Sequence, residues 1–89
     1  MAERTARIAS ASGLHARPAK IFVEAVTATG VPVTIAVPGG PELNAASILS
    51  LMGLGAGHGT EVVLRTEGDD ADRVLDELVT LLETDLDAA

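Results

Sequence analysis

The hydrophobic period of this chain switches repeatedly between two residues and about 3.6, and few folds accommodate that alternation. Residues 4 to 10 alternate, with Ala6 and Ile8 on one side and Thr5 and Arg7 on the other, as in a half-buried strand. Ser12 and Gly13 break the pattern. From Ala16 to about Thr29, Ala19, Phe22, Val23 and Val26 recur at helical spacing, and Gly30 supplies a stop. Val31, Val33, Ile35 and Val37 then alternate with Pro32, Thr34 and Ala36 in a second strand. Pro38-Gly39-Gly40-Pro41 turns the chain into a short third strand near Glu42 to Asn44.

Asn44-Ala45-Ala46-Ser47 offers two caps for a short helix running from near Ser47 to near Gly53. Gly55, Gly57 and Gly59 suggest a flexible connection, followed by a fourth strand in which Val62 and Leu64 oppose Glu61, Val63 and Arg65. Asp69, Asp70 and Asp72 then open a last helix with an apolar stripe of Leu75, Leu78, Val79, Leu82 and Leu86. The order β-α-β-β-α-β-α defines an α+β class. Its simplest arrangement is one four-stranded antiparallel sheet with three helices on one face and the other face open to solvent.

A length of 89 residues suits a single domain spanning 1-89, with no repeat or linker. Phe22 is the one aromatic residue, so Val, Leu, Ile and Ala must fill the core. The absence of cysteine excludes disulfides and thiolate metal sites, and the two histidines, His15 and His58, make no case for a metal centre. No cofactor is expected. Lacking an apolar signal segment or a membrane-length apolar run, the chain reads as cytoplasmic and without a membrane partner.

A formal charge of -7 and the lack of stacking aromatics oppose nucleic-acid binding. The charges are unevenly spread. Arg4, Arg7, Arg17 and Lys20 stand against Glu3 alone in the first twenty residues, whereas ten of the thirteen acidic residues lie from Glu61 onward. The basic end, which includes His15, can favour an anion or an acidic partner surface.

His15 stands where the first helix starts. Unpaired N–H groups and the macrodipole make such an end receptive to phosphate. Pro18 lacks an N–H, so the backbone of Ala16 and Arg17 supplies the nearest donors, and the Arg17 guanidinium matches phosphoryl oxygens. A lone histidine is ordinarily a flanking polar residue. Here the positive helix end favours the neutral, nucleophilic imidazole and would also stabilise a phosphorylated product. Ser12 has no adjacent base and reads as a supporting turn residue rather than a nucleophile.

Two segments together resemble a known family. Gly13-Leu14-His15-Ala16-Arg17-Pro18-Ala19 resembles the active-site motif of HPr, the histidine-containing phosphocarriers of the bacterial sugar phosphotransferase system. Asn44-Ala45-Ala46-Ser47-Ile48-Leu49-Ser50-Leu51-Met52-Gly53-Leu54-Gly55 resembles its second signature. The resemblance implies an open-faced β-sandwich with strand order 1-4-2-3. It further implies a carrier, rather than an enzyme, that accepts a phosphoryl group from enzyme I on His15 Nδ1 and donates it to the A component of a sugar-specific enzyme II. Arg17 would steady the phosphoryl group, and no metal or ATP would be needed.

The apolar residues Ile48, Leu49 and Met52, with Ala16 and Lys20, would form the partner-docking patch of a monomer. Ser47 matches a serine phosphorylated in some lineages. Ala46 stands where regulated relatives often carry lysine, and Leu49-Ser50 departs from their Met-Gly, so capping is the simpler role for Ser47. His58, where relatives carry lysine, reads as an exposed loop residue. The alternative function is a regulatory interaction module of the same fold, serving carbon or nitrogen control through Ser47 or His15 and partnered by a serine kinase or transcription regulator. Retention of both His15 and Arg17 favours the carrier.

Overall fold

The computed structural model describes residues 2-11, 13-14, 16-55 and 57-84. Ser12 and His15 of the anticipated site, and Leu86 of the last apolar stripe, lie outside these described residues. The elements follow the anticipated order: β1 (Ala2–Arg7), α1 (Ala16–Thr29), β2 (Val33–Ala36), β3 (Leu43–Asn44), α2 (Ile48–Gly53), β4 (Glu61–Thr66) and α3 (Ala71–Leu82). They form one four-stranded sheet, β1-β4-β2-β3, with every neighbouring pair antiparallel.

The sheet's two faces follow from strand register. Pairing Ala6 with Val62, and Ile35 with Leu64, puts these side chains in one layer, and all four are buried. Residues one step away in sequence, among them Glu3, Thr34 and Arg65, share the opposite face. There Arg65 reaches both Glu3 (3.3 Å) and Glu42 (3.2 Å), while Thr34 Oγ1 donates to Glu42 at 2.9 Å. Thr34, Glu42 and Arg65 also line a groove of ≈ 280 Å³ at the end of β2 and β4, formed with Pro32, Thr66 and Glu67. The open face is therefore charged and internally paired.

Helices cover the apolar layer. Ala19, Phe22 and Val26 of α1 and Val74, Leu75, Leu78 and Leu82 of α3 join Ile8, Val33, Ile35, Val62 and Leu64 in one core. Helix α3 packs chiefly on β1 and α1 packs against both other helices. Arg4 extends from β1 along this side to Asp72 (2.9 Å) and Asp76 (3.4 Å), two α3 residues on successive turns. Among the described residues, every buried side-chain nitrogen or oxygen has a hydrogen-bond partner.

Several boundaries differ from the sequence expectation. β1 begins at Ala2 and ends at Arg7, because its pairing with β4 runs from Ala2–Thr66 to Arg7–Glu61; beyond it, Ile8 and Ala9 bond to loop and helix groups. β2 is shorter than 31-37, since its partners β3 and β4 reach only Val33 to Ala36. β3 is likewise confined to two residues, Leu43 and Asn44. The last helix starts at Ala71, and the Asp70 side chain makes no cap bond, pairing instead with Arg73 at 3.2 Å.

The glycine-rich connection also differs. Thr60 N–H donates to Gly57 O, Gly57 N–H donates to Thr60 Oγ1, and Gly59 at φ 81° occupies the left-handed position that glycine fills without strain. Residues 57-60 thus form a tied turn rather than a loose linker.

Phe22 is the largest fully buried side chain and has no aromatic neighbour to close over a gap. Phe22→Ala should lower unfolding free energy by about 3–5 kcal/mol. Exposed Leu49→Ala should change it by less than about 0.5 kcal/mol. Urea denaturation of both variants measures the contrast.

Candidate phosphoryl-transfer site

The segment leading into His15 is anchored before it reaches α1. Ile8 N–H donates to Thr60 O at 2.9 Å, Gly59 N–H donates to Ile8 O at 2.7 Å, and Ala9 N–H donates to Leu82 O at 3.0 Å. The last bond satisfies a carbonyl at the C-terminal end of α3, where intrahelical donors run out. Ser10, buried at the end of this stretch, accepts from Gly13 N–H at 2.9 Å, and Gly13 at φ 76° makes the turn. Leu14 then buries its side chain and Ala16 begins α1. Backbone bonds to β4's approach and to α3, together with the Leu14 anchor, thereby hold the described residues ahead of α1 against the core.

Helix α1 has fourteen residues, with Pro18 in the first turn and, among the described residues, no acidic side chain there. Its positive end is consequently not neutralised by a carboxylate of its own first turn. Arg17 and Lys20 are exposed on this helix, while Pro18 and Ala19 are buried. The spacing puts the two cations one turn apart on the solvent side.

Helix α2 packs beside α1, and its cap is built as the residue types suggest. Asn44 Oδ1 accepts from Ala46 N–H at 2.9 Å, shaping the entry, and Ser47 Oγ accepts from Ser50 N–H at 3.3 Å. Of the two candidate caps, Ser47 caps and Asn44 forms the preceding turn. Leu51 is wholly buried, whereas Ile48, Leu49 and Met52 are 38%, 81% and 46% exposed. A six-residue helix has only one side to bury, so these three large apolar side chains remain in water.

Not all the basic residues at the start of the sequence contribute here. Arg4 is engaged by Asp72 and Asp76 on α3, and Arg7 approaches Glu61 at 3.9 Å, whereas Arg17 and Lys20 are carried by α1 itself. Three guanidinium groups are held above the ordinary arginine pKa, each chiefly by a hydrogen bond to a carboxylate: Arg4 by Asp72, Arg65 by Glu3 and Arg73 by Asp70. All three lie on β1, β4 or α3. His58 is exposed as expected, yet its Nδ1 lies 3.3 Å from Ser10 O, a contact that the intervening sequence separation conceals. Among the described residues there is no group of His, Asp or Glu side chains able to hold a metal ion.

Comparison with known proteins supplies the family. Residues 2–84 match the model for the PTS HPr component phosphorylation site. The chain is 52% identical over 87 residues to the phosphocarrier protein HPr of Streptomyces coelicolor, covering 98% of this chain and 94% of that protein. It is 43% identical to the phosphocarrier protein HPr of Haloferax volcanii, covering 92% and 93% of the two chains. The crystal structure of HPr-C-His from Thermoanaerobacter tengcongensis superposes with a TM-score of 0.84 at 37% identity, covering 93% of this chain and 92% of that one. The same sheet order, the same helix count and this extent of identity lead to one conclusion: the chain belongs to the HPr family of phosphocarriers of the phosphotransferase system.

Proposed function

We propose that this protein carries a phosphoryl group on His15 Nδ1, receiving it from enzyme I and passing it to the A component of a sugar-specific enzyme II in the cytoplasm. The observation that carries this reading is the packing of α1, which begins immediately after His15 in sequence, against a helix bearing exposed Ile48, Leu49 and Met52. In the forward step the Nδ1 lone pair attacks phosphorus. A nitrogen–phosphorus bond forms as the donor's bond to phosphorus breaks, and the donor retains that electron pair. The Ala16 and Arg17 N–H groups and the Arg17 guanidinium stabilise the phosphoryl oxygens. Ser12 supports the turn. Transfer to the acceptor reverses these bond changes, so the protein acts stoichiometrically.

Docking completes the site. Ile48, Leu49 and Met52 give each partner an apolar surface, to which Ala16 and Lys20 of the adjoining α1 are assigned as further docking residues. Met52 can repack against successive partners at little cost. Water must leave this surface for transfer to compete with hydrolysis.

The regulatory reading draws support from Ser47. A phosphoryl group on its oxygen would replace the cap acceptor and put a dianion next in sequence to exposed Ile48 and Leu49, raising the desolvation cost of docking. The same geometry explains Ser47 as a cap without regulation.

Incubation with phosphoenolpyruvate and enzyme I should give an acid-labile, alkali-stable label that is absent from His15→Ala; label persisting in that variant would exclude His15 as the acceptor. Arg17→Ala should slow transfer by about 10- to 100-fold, the range set by losing a charge-assisted hydrogen bond, while thermal denaturation leaves the fold intact. Leu49→Asp should raise KM for enzyme I by about tenfold or more with a smaller change in kcat, because the substitution acts on docking. Steady-state transfer kinetics distinguish these last two effects.

A further inference from the structure

The turn formed by residues 57-60 and the turn that leads to His15 are joined by one side-chain contact. His58 Nδ1 lies 3.3 Å from the carbonyl oxygen of Ser10. A carbonyl can only accept, so Nδ1 carries the hydrogen in this contact, and the neutral Nδ1–H tautomer suffices. The same Ser10 carbonyl accepts from Gly13 N–H at 2.9 Å, closing the turn two residues ahead of His15.

The His58 side is itself fixed. Thr60 N–H to Gly57 O (3.1 Å) and Gly57 N–H to Thr60 Oγ1 (3.1 Å) close its turn, while Gly59 N–H to Ile8 O (2.7 Å) fastens that turn to the end of β1. An imidazole mounted on so constrained a turn can restrain the opposing carbonyl with limited loss of side-chain freedom. Its Nδ1 is also occupied, which distinguishes it from a free phosphoryl acceptor at that atom.

We infer that His58 is a positioning residue for phosphoryl transfer: its Nδ1–H bond to the Ser10 carbonyl restrains the Ser10 and Gly13 backbone, which in sequence leads directly to the phosphoryl-accepting residue. The inference rests on the phosphocarrier reading above. The His58 hydrogen bond reaches the Ser10 backbone rather than a side chain of the α2 patch, so its removal should act on kcat rather than on KM.

The test compares wild type, His58→Ala and His58→Asn in transfer from phosphorylated enzyme I, with amide and imidazole NMR spectra of the same unphosphorylated proteins. Asparagine returns an N–H donor near the place of Nδ1 without an imidazole. His58→Ala should lower kcat by about three- to tenfold, the effect of one neutral hydrogen bond, at unchanged KM and with the melting temperature lowered by only about 2–8 °C. His58→Asn should recover at least half of the wild-type kcat. In the spectra, wild-type His58 should carry its proton on Nδ1, and the Gly13 amide resonance should move in the alanine variant and return towards its wild-type position in the asparagine variant.

Equal kcat for wild type and His58→Ala, or failure of His58→Asn to recover the rate, would overturn the positioning role. A Gly13 resonance insensitive to His58→Ala would overturn the contact itself. Wild-type protein that takes no label would remove the phosphocarrier reading and this role with it, while the NMR comparison would still report whether the two turns are linked.

Discussion

β4 is hydrogen-bonded along both edges, to β1 and to β2, and the register of those two pairings sends Val62 and Leu64 into the same layer as Ala6, Val33 and Ile35. Keeping that layer from water is the constraint on which the other elements depend. Helices α1 and α3 lay Phe22, Val26, Leu75 and Leu78 over it, while the opposite face, occupied by Glu3, Thr34, Glu42 and Arg65, needs no cover. A two-sided apolar sheet would have demanded a second helical layer.

The functional end follows from the same packing. Residues leaving β1 bond to the loop before β4 and to the end of α3, so Ile8 and Ala9 are tied to elements already held in the core. Helix α2 then rests beside α1, but its six residues can direct only Leu51 fully inward, and Ile48, Leu49 and Met52 remain exposed. A positive helix end and an apolar surface thus lie on neighbouring elements. Such a surface is what the proposed docking with phosphoryl donors and acceptors rests on.

Charge is divided by position as well as by amount. Asp72 and Asp76 draw Arg4 to α3, Asp70 and Glu77 hold Arg73, and Glu3 and Glu42 hold Arg65. These exposed pairs add little stability individually. Their consequence is spatial: cations near the sequence start are not all available to one surface, and Arg17 and Lys20 are those carried by α1.

Much of the architecture could be read from local patterns, because an amphipathic element records in its own spacing which side meets the core. Ala19, Phe22 and Val26 identified the buried side of α1, and the limits of that helix matched from Ala16 to Thr29. Strand ends were less legible, since Val31 and Val37 alternate correctly but lie beyond the partners that define β2. The motif around His15 and the exposed trio on α2 were also legible: the first is contiguous, and the second follows from a helix too short to bury all its apolar residues.

The sequence by itself determined the element order, the buried sides of the long helices, the Ser47 cap and the residue types available for phosphoryl chemistry. Tertiary structure decided that Arg4 serves α3, that the Gly57–Thr60 segment is a tied turn, and that His58 meets Ser10 across 48 positions of sequence. The first and last are contacts between residues remote in the chain, and the turn, closed by Gly57 and Thr60 themselves, is fastened to distant Ile8 through Gly59. Local spacing encodes the direction in which a side chain leaves its element, but its partner is fixed only when the folded backbone brings the two surfaces together.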